Sequence, residues 1–144
     1  MRRFFSPPPQ TDYNQSSRSL ARRVQKSFGR RGHMNISERE QNGIIIFTLD
    51  GRVDSEGAVD LDLALQTAVS EGKHKLVLEM AQVRYINSAG LRTLADILTQ
   101  VRASQGDLKL VNLHPRVQRV FQIIGFDRFF STYPTVEEAV ASFS

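Results

Sequence analysis

The sequence predicts an α/β fold in which strands and helices alternate along the chain. Three observations carry this prediction. Compact apolar runs of strand length, Ile44-Ile45-Ile46-Phe47 and Leu76-Val77-Leu78, are separated by segments whose apolar residues recur at helical spacing. Those helical segments are punctuated by Gly72, Gly106 and Gly125. After an opening hairpin the order is helix, strand, helix, strand, helix, short strand, helix, which implies βαβ crossovers and a layered architecture.

Taken in order, Asn35 to Gln41 is polar apart from Ile36 and reads as an edge strand. Asn42-Gly43 is a tight-turn signal. Ile44 to Leu49 is the next strand, ended by Asp50-Gly51. Ser55 to Ser70 reads as a helix with Val59, Leu61, Leu63, Leu65, Ala68 and Val69 as its apolar positions. Leu76 to Met80 is a buried strand. Asn87 to Ser104 is a helix whose stripe is Leu91, Leu94, Ala95, Leu98 and Val101. Leu108 to Leu113 has strand composition. Pro115 opens a helix carrying Val117, Val120, Phe121 and Ile124. Phe129 to Tyr133 reads as a short last strand, and Thr135 with Glu138 forms a capping-box pair for a final helix with Val136, Ala139, Val140 and Phe143.

The 144 residues accommodate one domain, 34–144, and a basic N-terminal extension, 1–33. Eight of the 19 Lys and Arg fall in the extension with a single acid, Asp12, which leaves 11 basic against 14 acidic residues in 34–144, a net of −3. The basic character of the chain therefore belongs to the extension, and the charge of the domain gives no support to nucleic-acid binding. Pro7-Pro8-Pro9 and the abundance of Ser, Gln and Arg read as disorder. Ser19 to Phe28 has the thin stripe Leu20, Val24, Phe28 of a basic amphipathic helix. A solvated tail, a membrane-surface or nucleic-acid contact, an Arg- and Ser-rich targeting peptide, and a true start at Met34 all fit this composition. The chain has no cysteine, which excludes disulfides and thiolate metal sites and fits a reducing, cytoplasmic setting. No apolar run approaches the roughly 18 to 20 residues that span a bilayer.

Catalytic chemistry finds no foothold. His33, His74 and His114 lie far apart, with no i, i+4 pair, so neither a zinc site nor any other metal site is expected. Nucleophile-elbow and phosphate-loop motifs are missing, and no cofactor is expected. Asp60 and Asp62 read as exposed helix positions. The chemistry that does stand out is at Val83-Arg84-Tyr85-Ile86-Asn87-Ser88-Ala89-Gly90-Leu91. Asn87 is a good N-cap, which puts Ser88 at the first helical position, facing free backbone N–H groups and the positive end of the helix dipole. A phosphate on Ser88 would sit where proteins usually hold anions. Gly90 is expected to allow close backbone approach or to be a tolerated helix glycine. Arg84 and Arg92 are expected to be solvated or to hold such a phosphate, and Asp54 to cap the preceding helix or to meet a partner.

Gly51-Arg52-Val53-Asp54, Leu78-Glu79-Met80 followed by Val83 to Leu91, Gly125-Phe126-Asp127 to Phe130, and Glu137-Glu138-Ala139 occur in the order and spacing that resemble the STAS domain. The similarity covers about residues 36–143, and within the family the bacterial anti-sigma factor antagonists are the nearest branch. The resemblance implies a mixed sheet with about four helices packed mainly on one side. It also implies a non-catalytic domain that switches partners. In the family, the serine of a D-S-x-G-type turn is phosphorylated by a partner that is both anti-sigma factor and serine kinase. The unmodified form binds that partner and frees the sigma factor, and the phosphorylated form lets go. The matching residue is Ser88, and Asp54 matches an acidic position near the switch. Arg84, Tyr85, Ile86, Asn87, Ala89, Gly90 and Arg92 complete the expected partner surface. Asn87 stands where Asp is usual and Ala89 where Ser or Thr is frequent, so Ser88 is the turn's only hydroxyl. The alternative within the family is a scaffold or sensor subunit of a signalling or lipid-transport assembly that is never phosphorylated.

Overall fold

Residues 22–28 and 34–144 are described by the computed structural model, with only the backbone described for the first of these segments. Six strands form one sheet in chain order: β1 (Arg22–Phe28), β2 (Met34–Gln41), β3 (Ile44–Val53), β4 (Lys75–Ile86), β5 (Asp107–Val111) and β6 (Thr132–Tyr133). β1, β2 and β3 pair antiparallel, and β3 through β6 run parallel. The parallel crossovers are made by α1 (Ser55–Ser70), α2 (Ser88–Ala103) and α3 (Pro115–Ile124), and α4 (Val136–Ala141) closes the chain.

The sequence chooses these elements by local means. Asn42 (φ 56°) and Gly43 (φ 79°) both take left-handed backbone, as a two-residue type I′ hairpin requires. β3 and β4 are apolar on both faces because both faces are covered. Ile45, Phe47, Leu76, Leu78, Leu108 and Leu110 face α1, α2 and α3 in the main core. Ile44, Ile46, Val77 and Val111 face Ala139 and Val140 of α4 in a smaller one. Three helices thus lie on one side of the sheet and one on the other. Phe121, Phe126 and Phe130 close the main core beside α3, with ring centroids 5.6 to 6.0 Å apart. Lys109 is buried under α4, where its ammonium donates to Ser142 Oγ at 2.6 Å and lies 4.2 Å from the ring centroid of Phe143.

Several elements differ from the sequence reading. Arg22–Phe28 is a strand and not a helix. Its backbone pairs antiparallel with β2, with Arg22 in register with Glu40 and Phe28 with Ile36, and this ladder takes the place of the expected helix. β2 is therefore an inner strand and not the edge. The expectations for residues 1–21 and 29–33, including their disorder, lie outside the described residues. β3 runs through Asp50-Gly51 to Val53 and β4 runs on to Ile86, because their register shifts between Thr48 and Asp50 and again before Val53, and pairing resumes after each irregularity. β5 stops at Val111, short of Leu113. Phe126–Arg128 forms a 3-10 turn, which leaves only two residues to β6. Val59 and Leu63 of α1 and Ile124 of α3 are exposed, since the buried face of α1 is Gly57, Ala58, Leu61, Ala64, Leu65 and Ala68. No helix among the described residues is long and apolar enough to cross a membrane.

Candidate functional site

β3 and β4 are parallel neighbours, so the helices that follow them start side by side at the same end of the sheet. Both starts use the pattern Asx-Ser-x-Gly. Asp54 Oδ1 accepts from the Gly57 N–H at 2.9 Å, and Asn87 Oδ1 accepts from the Gly90 N–H at 3.0 Å. Asp54 is thus the cap of α1, as one of its two sequence readings expected. The two caps are tied together. The Asn87 N–H donates to the Val53 carbonyl at 2.9 Å, and the Asn87 amide donates to Ser55 Oγ at 3.4 Å. Asparagine at this position keeps the cap and adds a donor that a carboxylate lacks.

Ser88 is the first residue of α2 and is exposed. No described residue hydrogen-bonds its hydroxyl, and no acid occupies the first turn of α2. The N–H groups of Ser88 and Ala89 precede the first intrahelical bond, which runs from Leu91 N–H to the Asn87 carbonyl at 3.0 Å. An anion at Ser88 Oγ would meet free donors and the positive helix end.

Gly90 is buried beneath the serine. A Cβ there would run into the Val53 side chain and stand 2.9 Å from Ile86 Cγ1, so the close approach expected from the sequence is what the packing uses. Ile86 is itself buried at 6% exposure. Ile86 and Gly90 therefore support the site from below. Arg84, Tyr85 and Arg92 are exposed, Ala89 is half-buried, and Tyr85 carries the Arg52 guanidinium 4.2 Å from its ring centroid.

Sequence reasoning missed Arg52, Gln82 and Arg116. With Arg84, Tyr85 and Ile86 they line a cleft of about 580 Å³ between the ends of β3 and β4 and the start of α3. The signal was topological. Ligands of open parallel sheets gather at the carboxyl ends of the strands, where loops far apart in sequence converge. Among the described residues no group of three His, Asp or Glu could hold a metal ion.

The STAS domain family model matches residues 35–139. BtrV, a candidate anti-sigma factor antagonist of Bordetella bronchiseptica, is 36% identical over 76% of this chain and 95% of its own length. The crystal structure of an anti-sigma factor antagonist from Mycobacterium paratuberculosis superposes with a TM-score of 0.70 at 23% identity, covering 79% of this chain and 97% of that one. The unphosphorylated form of the anti-sigma factor antagonist SpoIIAA superposes with a TM-score of 0.66 at 20% identity, over 75% of this chain and 95% of its own. A paired start of two helices on a mixed sheet, the family model across the folded residues and a full-length relative agree: the chain belongs to the STAS domain family.

Proposed function

We propose that this STAS domain is an anti-sigma factor antagonist whose docking surface centres on Ser88, and that phosphorylation of Ser88 by the anti-sigma factor, acting as a serine kinase, dissolves the complex. The observation that carries the reading is Ser88 itself: an exposed hydroxyl, unengaged within the described residues, at the positive end of a 16-residue helix. Relatives named as anti-sigma factor antagonists support it, and SpoIIAA, similar in fold, has been solved in a phosphorylated form as well. Asp54, Asn87 and Gly90 fix the backbone around the serine, while Arg84, Tyr85, Ala89 and Arg92 surround it. Phosphorylation adds about −1.5 to −2 charges at neutral pH. A charge buried without a partner costs several kcal/mol, and each ~1.4 kcal/mol is tenfold in affinity. One modification is then enough to move a tight complex out of its working range. The domain acts by occupancy and itself makes or breaks no bond. In this reading its effect on transcription is indirect, through the sigma factor that the partner releases.

The test is mass spectrometry after incubation with the purified anti-sigma factor and ATP. Phosphate on Ser88, with Ser88→Ala forming a complex that ATP does not dissolve, is the expected result. Phosphate on Ser55 or Ser104 with Ser88 clean refutes the assignment. No phosphate anywhere favours the scaffold reading.

A further inference from the structure

We infer that the arginine-lined cleft beside the start of α2 is a second half of the docking surface, and that it takes an acidic segment of the partner. Arg52, Arg84 and Arg116 arrive from β3, β4 and α3, and no carboxylate lines the cleft. Among the described residues none of the three is ion-paired with an acid. Three like charges converge on one concave surface that no carboxylate lines, so the cleft is a local positive spot. Arginine is suited to the task, because its planar fork binds carboxylates through two parallel hydrogen bonds. Arg52 is held in place by stacking on Tyr85.

The shape favours a polypeptide over a free ion. The three guanidinium-bearing residues are exposed, while Ile86, Val117 and Val120 supply an apolar wall. An extended segment with two or more carboxylates around an apolar side chain would satisfy both parts. A free phosphate would leave the apolar wall bare. Position supports the same partner as the switch, since Tyr85 and Ile86 lead directly into Asn87 and Ser88. Arginine and tyrosine are also the residue types that most often dominate binding energy. The identity of the partner rests on the Ser88 reading, but the chemistry of the cleft does not.

Two measurements on the full chain separate these. The first uses a fluorescein-labelled twelve-residue peptide of alternating Glu and Leu, its twin with Gln for Glu, and inorganic phosphate, followed by anisotropy at low salt. The expected result is binding of the Glu peptide alone, weakened at least tenfold by Arg116→Glu or Arg84→Glu and unchanged by Arg119→Glu, which makes the same charge change on α3 away from the cleft. Arg116→Glu places an acid in the first turn of a helix, where it favours folding. Equal effects of Arg116→Glu and Arg119→Glu, equal binding of the Gln twin, or phosphate binding in preference to the peptide would each overturn the inference. The second measures affinity for the purified anti-sigma factor. Loss with Ser88→Asp but not with Arg116→Glu sinks the cleft and spares the switch. Loss with Arg116→Glu but not with Ser88→Asp does the reverse.

Discussion

Replacing Ser88 by Asp should raise the stability of the protein while lowering its affinity for the anti-sigma factor, and the opposite signs make the substitution informative. Ser88 is exposed and opens α2, whose first turn holds no acid. A carboxylate there meets the positive helix end and the unbonded N–H groups of Ser88 and Ala89, worth about 0.3–1 kcal/mol. For a domain of this size that is a rise of roughly 1–5 °C in Tm. Nothing opposes the gain, because the hydroxyl it replaces makes no bond within the described residues. Docking reverses the sign. The same charge, covered by a partner that offers no counter-charge, costs several kcal/mol, which is 10² or more in Kd. Thermal unfolding by circular dichroism and titration calorimetry with the purified anti-sigma factor measure the two quantities on one sample. A fall in Tm together with lost binding would mean that the substitution damages the fold, and unchanged affinity would mean that Ser88 lies outside the interface. Either result refutes the reasoning.

Gly90→Ala should cost about 1–2 kcal/mol despite the better helix propensity of alanine, because its methyl group must displace the buried Val53 and Ile86 side chains; urea unfolding measures it. Asn87→Ala should lose about 1 kcal/mol with the cap on Gly90, whereas Asn87→Asp keeps that cap, and the two urea midpoints should differ accordingly. Phe121→Ala should cost roughly 3–5 kcal/mol by emptying the centre of the Phe121–Phe126–Phe130 cluster, read as the midpoint of the same transition. Lys109→Ala removes the ammonium shared by Ser142 and Phe143, so amide exchange should quicken in α4 and stay unchanged in α2, a contrast that hydrogen-exchange mass spectrometry resolves.

What was legible in the sequence was local. Asp54, Asn87 and Thr135 cap their helices through bonds to residues three positions on, and Asn42-Gly43 turns through its own backbone preference, so the chain alone reveals them. The exposed serine at the start of α2 followed from the Asn87 cap. The extents of β3 and β4 were not legible, because the irregularity around Asp50-Gly51 belongs to the pairing of two strands some thirty residues apart. In α1, Val59, Leu61, Leu63 and Leu65 alternate, and only the rotation of the helix against the sheet decides that Leu61 and Leu65 are buried and their neighbours are not. β1 was missed because the strand it pairs with, β2, lies outside the segment and leaves no period in it. Arg52, Arg84 and Arg116 are unremarkable singly, and only the topology makes them neighbours.

The antiparallel addition of β1 to β2 has a consequence for solubility. A parallel α/β sheet ends in two raw margins, each a row of amide and carbonyl groups that invites another molecule to continue it. At one margin of this sheet stands β6, only two residues long and too short to template anything. At the other, the extension lays its own backbone along most of an eight-residue strand. A chain beginning at Met34 would uncover that margin, leaving Glu38, Arg39 and Glu40 as the charges that discourage stacking of one copy on the next.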